Sequence, residues 1–219
     1  MKSYPRAFLI SGSPEINYEY LKFVKENIID VRKDTIYAID KGLEICDKLK
    51  IPISKIIGDF DSVEPDILKK YSNDKILRFK SDKDKSDTEL AIDFALKRKF
   101  QEMIILNSSG ARLDHFLFNA LLLFKKPIFI KILTPNGVLW ALESDSESII
   151  ELKPNTIFSL IPFSKCTGVS ITGSNYDLKN KTVELSSTLT LSNVANGSIK
   201  VKFKSGLLLF YAKDCTFLI

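Results

Sequence analysis

One pattern constrains this chain more than any other. Over roughly its first two thirds, apolar runs of strand length alternate with stretches of helix length, and each run is stopped by an acid or by a Ser/Gly/Asn cluster. RAFLI (6–10) opens into Ser11-Gly12-Ser13-Pro14 and is followed by a helical stretch over 18–27. TIYAI (35–39) ends at Asp40 and precedes a helix over 42–49. The run 53–57 ends at Gly58-Asp59, with a short helix over 65–71 behind it. A helix over 89–99 leads to a fourth strand over 103–106, then to Asn107-Ser108-Ser109-Gly110, then to an apolar helix over 113–124, expected to be covered on most sides. Strands that alternate with helices predict an α/β domain: a doubly wound, mostly parallel, Rossmann-like sheet with right-handed crossovers.

The texture changes after about Leu133. Asn136-Gly137 between ILTP and VLWAL reads as a hairpin turn. Beyond Glu143 no helical period remains, and strands are expected over 156–162, 168–172, 182–185, 198–204 and 207–212. In SIKVKFK, Ile199, Val201 and Phe203 alternate with Lys200, Lys202 and Lys204, so one face is buried and the other wet. The second part is therefore all-β, an antiparallel β-sandwich. The boundary is placed between residues 142 and 143, giving domains 1–142 and 143–219.

Composition removes several classes of function. The 219 residues are 45% hydrophobic and 27% charged, and no apolar run reaches the ~20 residues of a membrane span, so no membrane partner is expected. The first residues have a short apolar core without a small-residue cleavage site, which argues against a signal peptide. Cys46, Cys166 and Cys215 are scattered and lack metal-ligand spacing, which fits a reducing, cytoplasmic setting. The net charge of +5 is spread over the chain, so it argues for no nucleic-acid partner and is compatible with an anionic small substrate.

The acids carry the functional argument. In an extended GDFDSV (58–63), Asp59 and Asp61 point to one side and Phe60 to the other, and two like charges so close need a cation or several donors. A solvated Asp-rich turn, with Gly58 and Ser62 supplying the turn chemistry, explains those six residues as well as a site does. Parallel topology shifts the balance, because Asp40, Asp59 with Asp61, and the loop leading to Asp114 all leave strand ends on the ligand-binding edge. SDKDKSDTE (81–89) contains a capping box, Ser86 with Glu89; Lys83, Asp84 and Asp87 lie outside it, and a helix N-terminus flanked by lysines also suits phosphate. In SSGARLDHFLFN (108–119), Gly110 permits close backbone approach, Arg112 can grip a phosphate with two donors, and Asn119 lies one turn after His115. A helix-capping Asp114 with a buried His115–Asn119 polar pair is the alternative reading of that segment.

In their order these blocks resemble the thiamine pyrophosphokinases: Asp40-Lys41-Gly42, GDFDS (58–62), Lys83-Asp84-Lys85-Ser86-Asp87, and Gly110-Ala111-Arg112-Leu113-Asp114-His115 with Asn119. FSLIPF (158–163), GSNYDL (173–178) and Ser192-Asn193 are similar to the β-domain pattern of that family. The chain departs from it in Asn107 to Gly110, which has two glycines fewer, and in Ser174-Asn175. The resemblance implies a Mg²⁺-dependent transfer of pyrophosphate from ATP to the hydroxyl of thiamine. It implies Asp40, Asp59 and Asp61 as metal ligands, with Asp87 as a fourth catalytic acid. Lys83, Asp84, Ser86, Gly110, Arg112, Asp114, His115, Asn119 and Ser62 are implied at the nucleotide. Tyr176, Leu178, Ser192 and Asn193 are implied at thiamine, in a homodimer whose sites are shared between subunits. Two rivals remain open on the residues alone. One is an Asp-x-Asp nucleotide-sugar glycosyltransferase; the other is a nucleotide- or vitamin-sensing module without turnover.

Overall fold

The computed structural model describes residues 5–80, 82, 84–125 and 128–215. The chain divides into two compact units, Met1–Thr134 and Pro135–Ile219. The first holds β1 (Arg6–Ile10), α1 (Tyr18–Asn27), β2 (Thr35–Ile39), α2 (Gly42–Leu49), β3 (Lys55–Gly58), α3 (Pro65–Leu68), β4 (Ile76–Arg78), α4 (Asp87–Leu96), β5 (Glu102–Leu106), α5 (Leu113–Leu122) and β6 (Phe129–Thr134). Within this unit the strand order is β4-β3-β2-β1-β5-β6, and every pairing is parallel. The order reverses between β1 and β5, and all strands finish on one edge. Ala7 to Ile10, in the middle, are fully buried, as a parallel strand covered on both faces must be.

The helices are fixed by ordinary local chemistry. Asn17 accepts a hydrogen bond from the Tyr20 amide at the start of α1, and Ser86 accepts one from Glu89 (3.2 Å) at the start of α4. Phe94 of α4 meets the buried Tyr37 of β2 edge-on, ring centroids 5.6 Å apart. The Asp93 carboxylate is held by Lys125 (2.5 Å) and by Lys85 (2.6 Å), so α4 is tied to the loop before it and to the end of α5. These contacts set where Asp87, the first residue of α4, stands.

Two expectations need correction. β4 is a strand that the sequence pattern did not reveal: it has three residues and is not buried, so it carries no apolar run. The helix α5 is not covered on most sides. Leu113, Leu117, Phe118 and Leu121 are exposed, Phe118 by 70%, while Asn119 and Ala120 are buried.

The second unit holds β7 (Gly137–Leu142), β8 (Glu147–Ile150), β9 (Ile157–Pro162), β10 (Cys166–Ser174), β11 (Leu178–Val183), β12 (Asn193–Lys202) and β13 (Leu208–Lys213). Its pairings are antiparallel: β13 with β7 and β9, β12 with β9, β8 and β10, and β10 with β11. β7 pairs with β13 along its whole length, from Gly137↔Lys213 to Leu142↔Leu208, which puts Pro135–Leu142 with this unit rather than with the first. Ile199, Val201 and Phe203 are buried and the lysines between them exposed, as the alternation predicts. Trp140, Phe158 and Phe210 form an aromatic cluster in the core.

Gly42 opens α2 where that helix passes the end of β1. A Cβ at this position would collide with the carbonyl oxygen of Ile10. Alanine would gain up to about 1 kcal/mol in helix propensity, but forcing α2 off the sheet costs about 1–3 kcal/mol. Gly42→Ala is therefore expected to lower stability in chemical denaturation; an unchanged or higher midpoint would contradict the close packing.

Candidate functional site

The site begins with two acids at strand ends and one at a helix start. β2 ends one residue before Asp40, β3 ends one residue before Asp59, and Asp87 begins α4. One carboxylate oxygen from each lies within 4.8 Å of those of the other two, a group that could hold a metal ion. Asp40 takes a left-handed conformation (φ 45°), and its carboxylate accepts a hydrogen bond from the Phe60 amide at 3.4 Å. Gly58 makes this possible, because a Cβ there would occupy the place of the Asp40 carboxylate oxygen. The glycine of the GD pair is thus a space requirement of an acid eighteen positions earlier.

The trio differs from the extended-strand expectation. Phe60 is left-handed (φ 64°), so residues 59–61 turn instead of alternating. Such a backbone costs about 1–2 kcal/mol for a residue other than glycine. Burial of the ring, 7% exposed, helps hold it. Asp61 and Ser62 are exposed, and the group of converging acids contains Asp87 where the expectation had Asp61. The Asp61 amide donates to the Asp59 carboxylate at 3.3 Å, so Asp61 supports its neighbour through the main chain.

Crowding like charges in a half-buried place has a visible cost. Burial first, and then the charge of Asp87 and a hydrogen bond shared with it, push the Asp40 carboxyl up to about 7. A bound cation would relieve that repulsion. Three hard oxygen ligands suit Mg²⁺, which takes the rest of its coordination from water and phosphate.

The remaining residues of the first unit frame this edge. Asn107, after β5, donates from Nδ2 to the carbonyls of Ser11 and Ser13, both at 3.0 Å, binding together the loops where the strand order reverses. Gly110 abuts Ser13 and Glu15 of that loop. Arg112 is the N-cap of α5 and is paired through two donors with Asp114, at 2.9 and 2.6 Å. The guanidinium holds the Asp114 carboxyl well below the usual carboxylate range. Asp114 does not cap the helix, and His115 and Asn119 do not form a buried polar pair, since His115 is exposed and Asn119 buried. Asp84 is exposed, Ser86 is the cap of α4, and Lys83 lies outside the described residues.

The second unit has a polar bracket of its own. Asn193, 3% exposed, accepts from the Tyr176 amide (3.1 Å) and donates to the Tyr176 carbonyl (2.9 Å) and to Ser174 Oγ (3.1 Å). Ser174 in turn donates from its amide and hydroxyl to Asp177. The turn between β10 and β11 is thereby locked, and it leaves Tyr176 exposed with Leu178 at the start of β11. The Ser192 amide donates to Ser159 Oγ at 2.9 Å. Asn193 is spent on the turn itself. The sequence motif placed Asn193 with Tyr176 but did not show this division of labour.

Comparison with known proteins gives this geometry a context. A family model described as thiamin pyrophosphokinase, catalytic domain, matches residues 29–133, and one described as thiamin pyrophosphokinase, vitamin B1 binding domain, matches residues 147–208. Thiamine pyrophosphokinase of Bacillus subtilis is 30% identical over 171 residues, which cover 75% of this chain and 76% of that protein. The chain belongs to the thiamine pyrophosphokinase family. The three converging acids fall in the stretch matched by the catalytic-domain model, and Tyr176 and Asn193 in the stretch matched by the vitamin-binding one. The fold is shared more widely than the sequence. The crystal structure of thiamine pyrophosphokinase from Bacillus subtilis superposes with a TM-score of 0.81 at 24% identity, covering 95% of this chain and 98% of that one. Thiamin pyrophosphokinase from Candida albicans gives 0.76 at 17% identity, covering 96% and 89%.

The raised Asp40 carboxyl has a thermodynamic consequence. Between the ordinary carboxylate value and about 7, the folded protein keeps a proton that the unfolded chain releases. That contribution is complete below the ordinary value and is lost as pH rises through 7. Asp40→Asn keeps the acceptor for Phe60 and removes the charge. In chelator, its melting temperature relative to wild type should therefore rise between about pH 5 and pH 8. The same offset at both pH values would mean that Asp40 does not hold the proton.

Proposed function

We propose that this chain is an enzyme transferring the β,γ-pyrophosphoryl group of ATP to the hydroxyl of thiamine, giving thiamine diphosphate and AMP. The observation that carries the reading is the convergence of Asp40, Asp59 and Asp87 on the carboxyl edge of a parallel sheet, where nucleotides bind in open α/β folds. On this reading the first unit is a doubly wound, Rossmann-like nucleotide-binding domain, and the second is a thiamine-binding β-sandwich.

The thiamine hydroxyl oxygen attacks the β-phosphorus, the bond from that phosphorus to the α,β-bridging oxygen breaks, and AMP departs. Asp40, Asp59 and Asp87 would hold Mg²⁺, with Asp61 and Ser62 beside them. The ion, when bound, neutralises phosphate oxygens and acts as a Lewis acid. Arg112 leaves Asp114 for the transferred group, a move between two exposed anionic partners, and Lys83 assists it. Asp87 orients the thiamine hydroxyl and accepts its proton. Ser86, Asp84, Gly110, Asp114, His115 and Asn119 frame the nucleotide. Tyr176 offers its ring to the cationic thiamine, on a turn held by Asn193, with Leu178 and Ser192 adjacent. Positioning and electrostatics supply most of the rate. Three free, buried cysteines support a reducing, cytoplasmic setting. Among the described residues no helix is long and apolar enough to cross a membrane.

The same reading gives a homodimer in which each site is completed by the partner's second domain. The exposed leucines and Phe118 of α5 support it, since a contiguous apolar face of that kind is unusual on a monomer.

The assay is direct: ATP, Mg²⁺ and thiamine should yield AMP and thiamine diphosphate in equal amounts. Asp59→Asn should lower turnover about a hundredfold or more with the fold intact. Ligand binding without turnover would favour a sensing module, and hydrolysis of nucleotide sugars a glycosyltransferase. In sedimentation the wild type should run as a dimer, and Leu117→Lys with Phe118→Lys should shift it to monomer. A fully active wild-type monomer would remove the shared-site reading.

A further inference from the structure

We propose that Arg78 is a positioning residue for the metal ligand Asp59, acting as a clamp on the strained turn that carries it. The inference rests on the metal-site reading above and adds a residue that no motif marks.

Arg78 is the last residue of β4 and pairs in register with Gly58 of β3. Its Nη1 donates to the carbonyl oxygen of Asp59 at 2.7 Å, and its guanidinium lies 4.8 Å from the centre of the Phe60 ring. The next amide, that of Phe79, donates to the Gly58 carbonyl at 2.9 Å. The short edge strand and the residue after it therefore grip residues 58–60, and Arg78 touches both sides of the Asp59–Phe60 link. This is the place where the backbone turns left-handed at a bulky residue, a conformation that persists only when its surroundings over-determine it. Arginine suits the task because its planar fork can hydrogen-bond and stack at the same time; lysine cannot do both.

The clamp makes a prediction opposite in sign to simple electrostatics. A cation beside three carboxylates repels a divalent ion, so on charge alone the loss of Arg78 should tighten metal binding. If Arg78 positions Asp59, its loss should weaken binding, because the turn relaxes and the carboxylate leaves the group. Arg78 is exposed, so its replacement empties no core space.

The test is Mn²⁺ binding to the full-length protein, followed by isothermal titration calorimetry, with circular dichroism confirming the fold of each variant. Arg78→Ala should weaken binding about tenfold, the usual effect of losing a partner that supports a metal ligand. Arg78→Lys, which keeps the charge, should weaken it as well. In a Phe60→Gly background, where glycine takes the left-handed turn without strain, adding Arg78→Ala should no longer weaken binding, because only the charge effect is left. Asp59→Asn serves as the control for the site. If Asp59→Asn loses Mn²⁺ while Arg78→Ala binds as tightly as wild type or more tightly, the clamp is overturned and the metal site stands. If Asp59→Asn binds like wild type, the metal-site reading falls and the clamp with it.

Discussion

Three carboxylates crowd together at one edge of the first unit. Asp40, Asp59 and Asp87 stand within one metal-ion's reach of each other, and Asp40 is driven to hold a proton near neutral pH. A chain free to relax would separate them. Here each is held in place: β2 and β3 lock by parallel pairing, Gly58 leaves room for the Asp40 carboxylate, and α4 is anchored by Phe94 on Tyr37 and by Asp93 on two lysines. Crowding of this kind is relieved when a cation binds, and it is the physical ground for the metal-site proposal.

The second unit works by the opposite logic. Its polar groups are satisfied internally. Asn193 spends its amide on Tyr176 and Ser174, and Ser174 is itself bonded to Asp177, so the turn between β10 and β11 is held by its own hydrogen bonds. What it presents is an aromatic ring that needs no rearrangement. One unit holds crowded charge, the other an exposed aromatic ring on a hydrogen-bonded turn.

Much of this was legible in the sequence. Strand-length runs ending in acids read as a parallel sheet because the two periodicities, two and 3.6, are properties of the chain itself. The buried alternation of Ile199, Val201 and Phe203 follows from the same fact. The errors have identifiable causes. β4 is too short and too exposed to leave an apolar signature. Residues 58–61 read as extended in the sequence, but Phe60 turns left-handed, and no residue type announces that at a phenylalanine. The apolar composition of α5 suggested burial, whereas composition cannot say whether the neighbour that covers a face belongs to the same chain.

The sequence by itself determined most of the elements and the family, because these depend on side-chain chemistry and on spacing within a few residues. Tertiary structure alone decided which acids meet. Asp87 joins Asp40 and Asp59 through the packing of α4 on β2, Arg112 rests on Asp114, and Arg78 reaches back to Asp59 from a neighbouring strand. Those choices rest on contacts between residues distant along the chain, where energies of a few kcal/mol are settled by packing and by backbone conformation that local sequence does not encode.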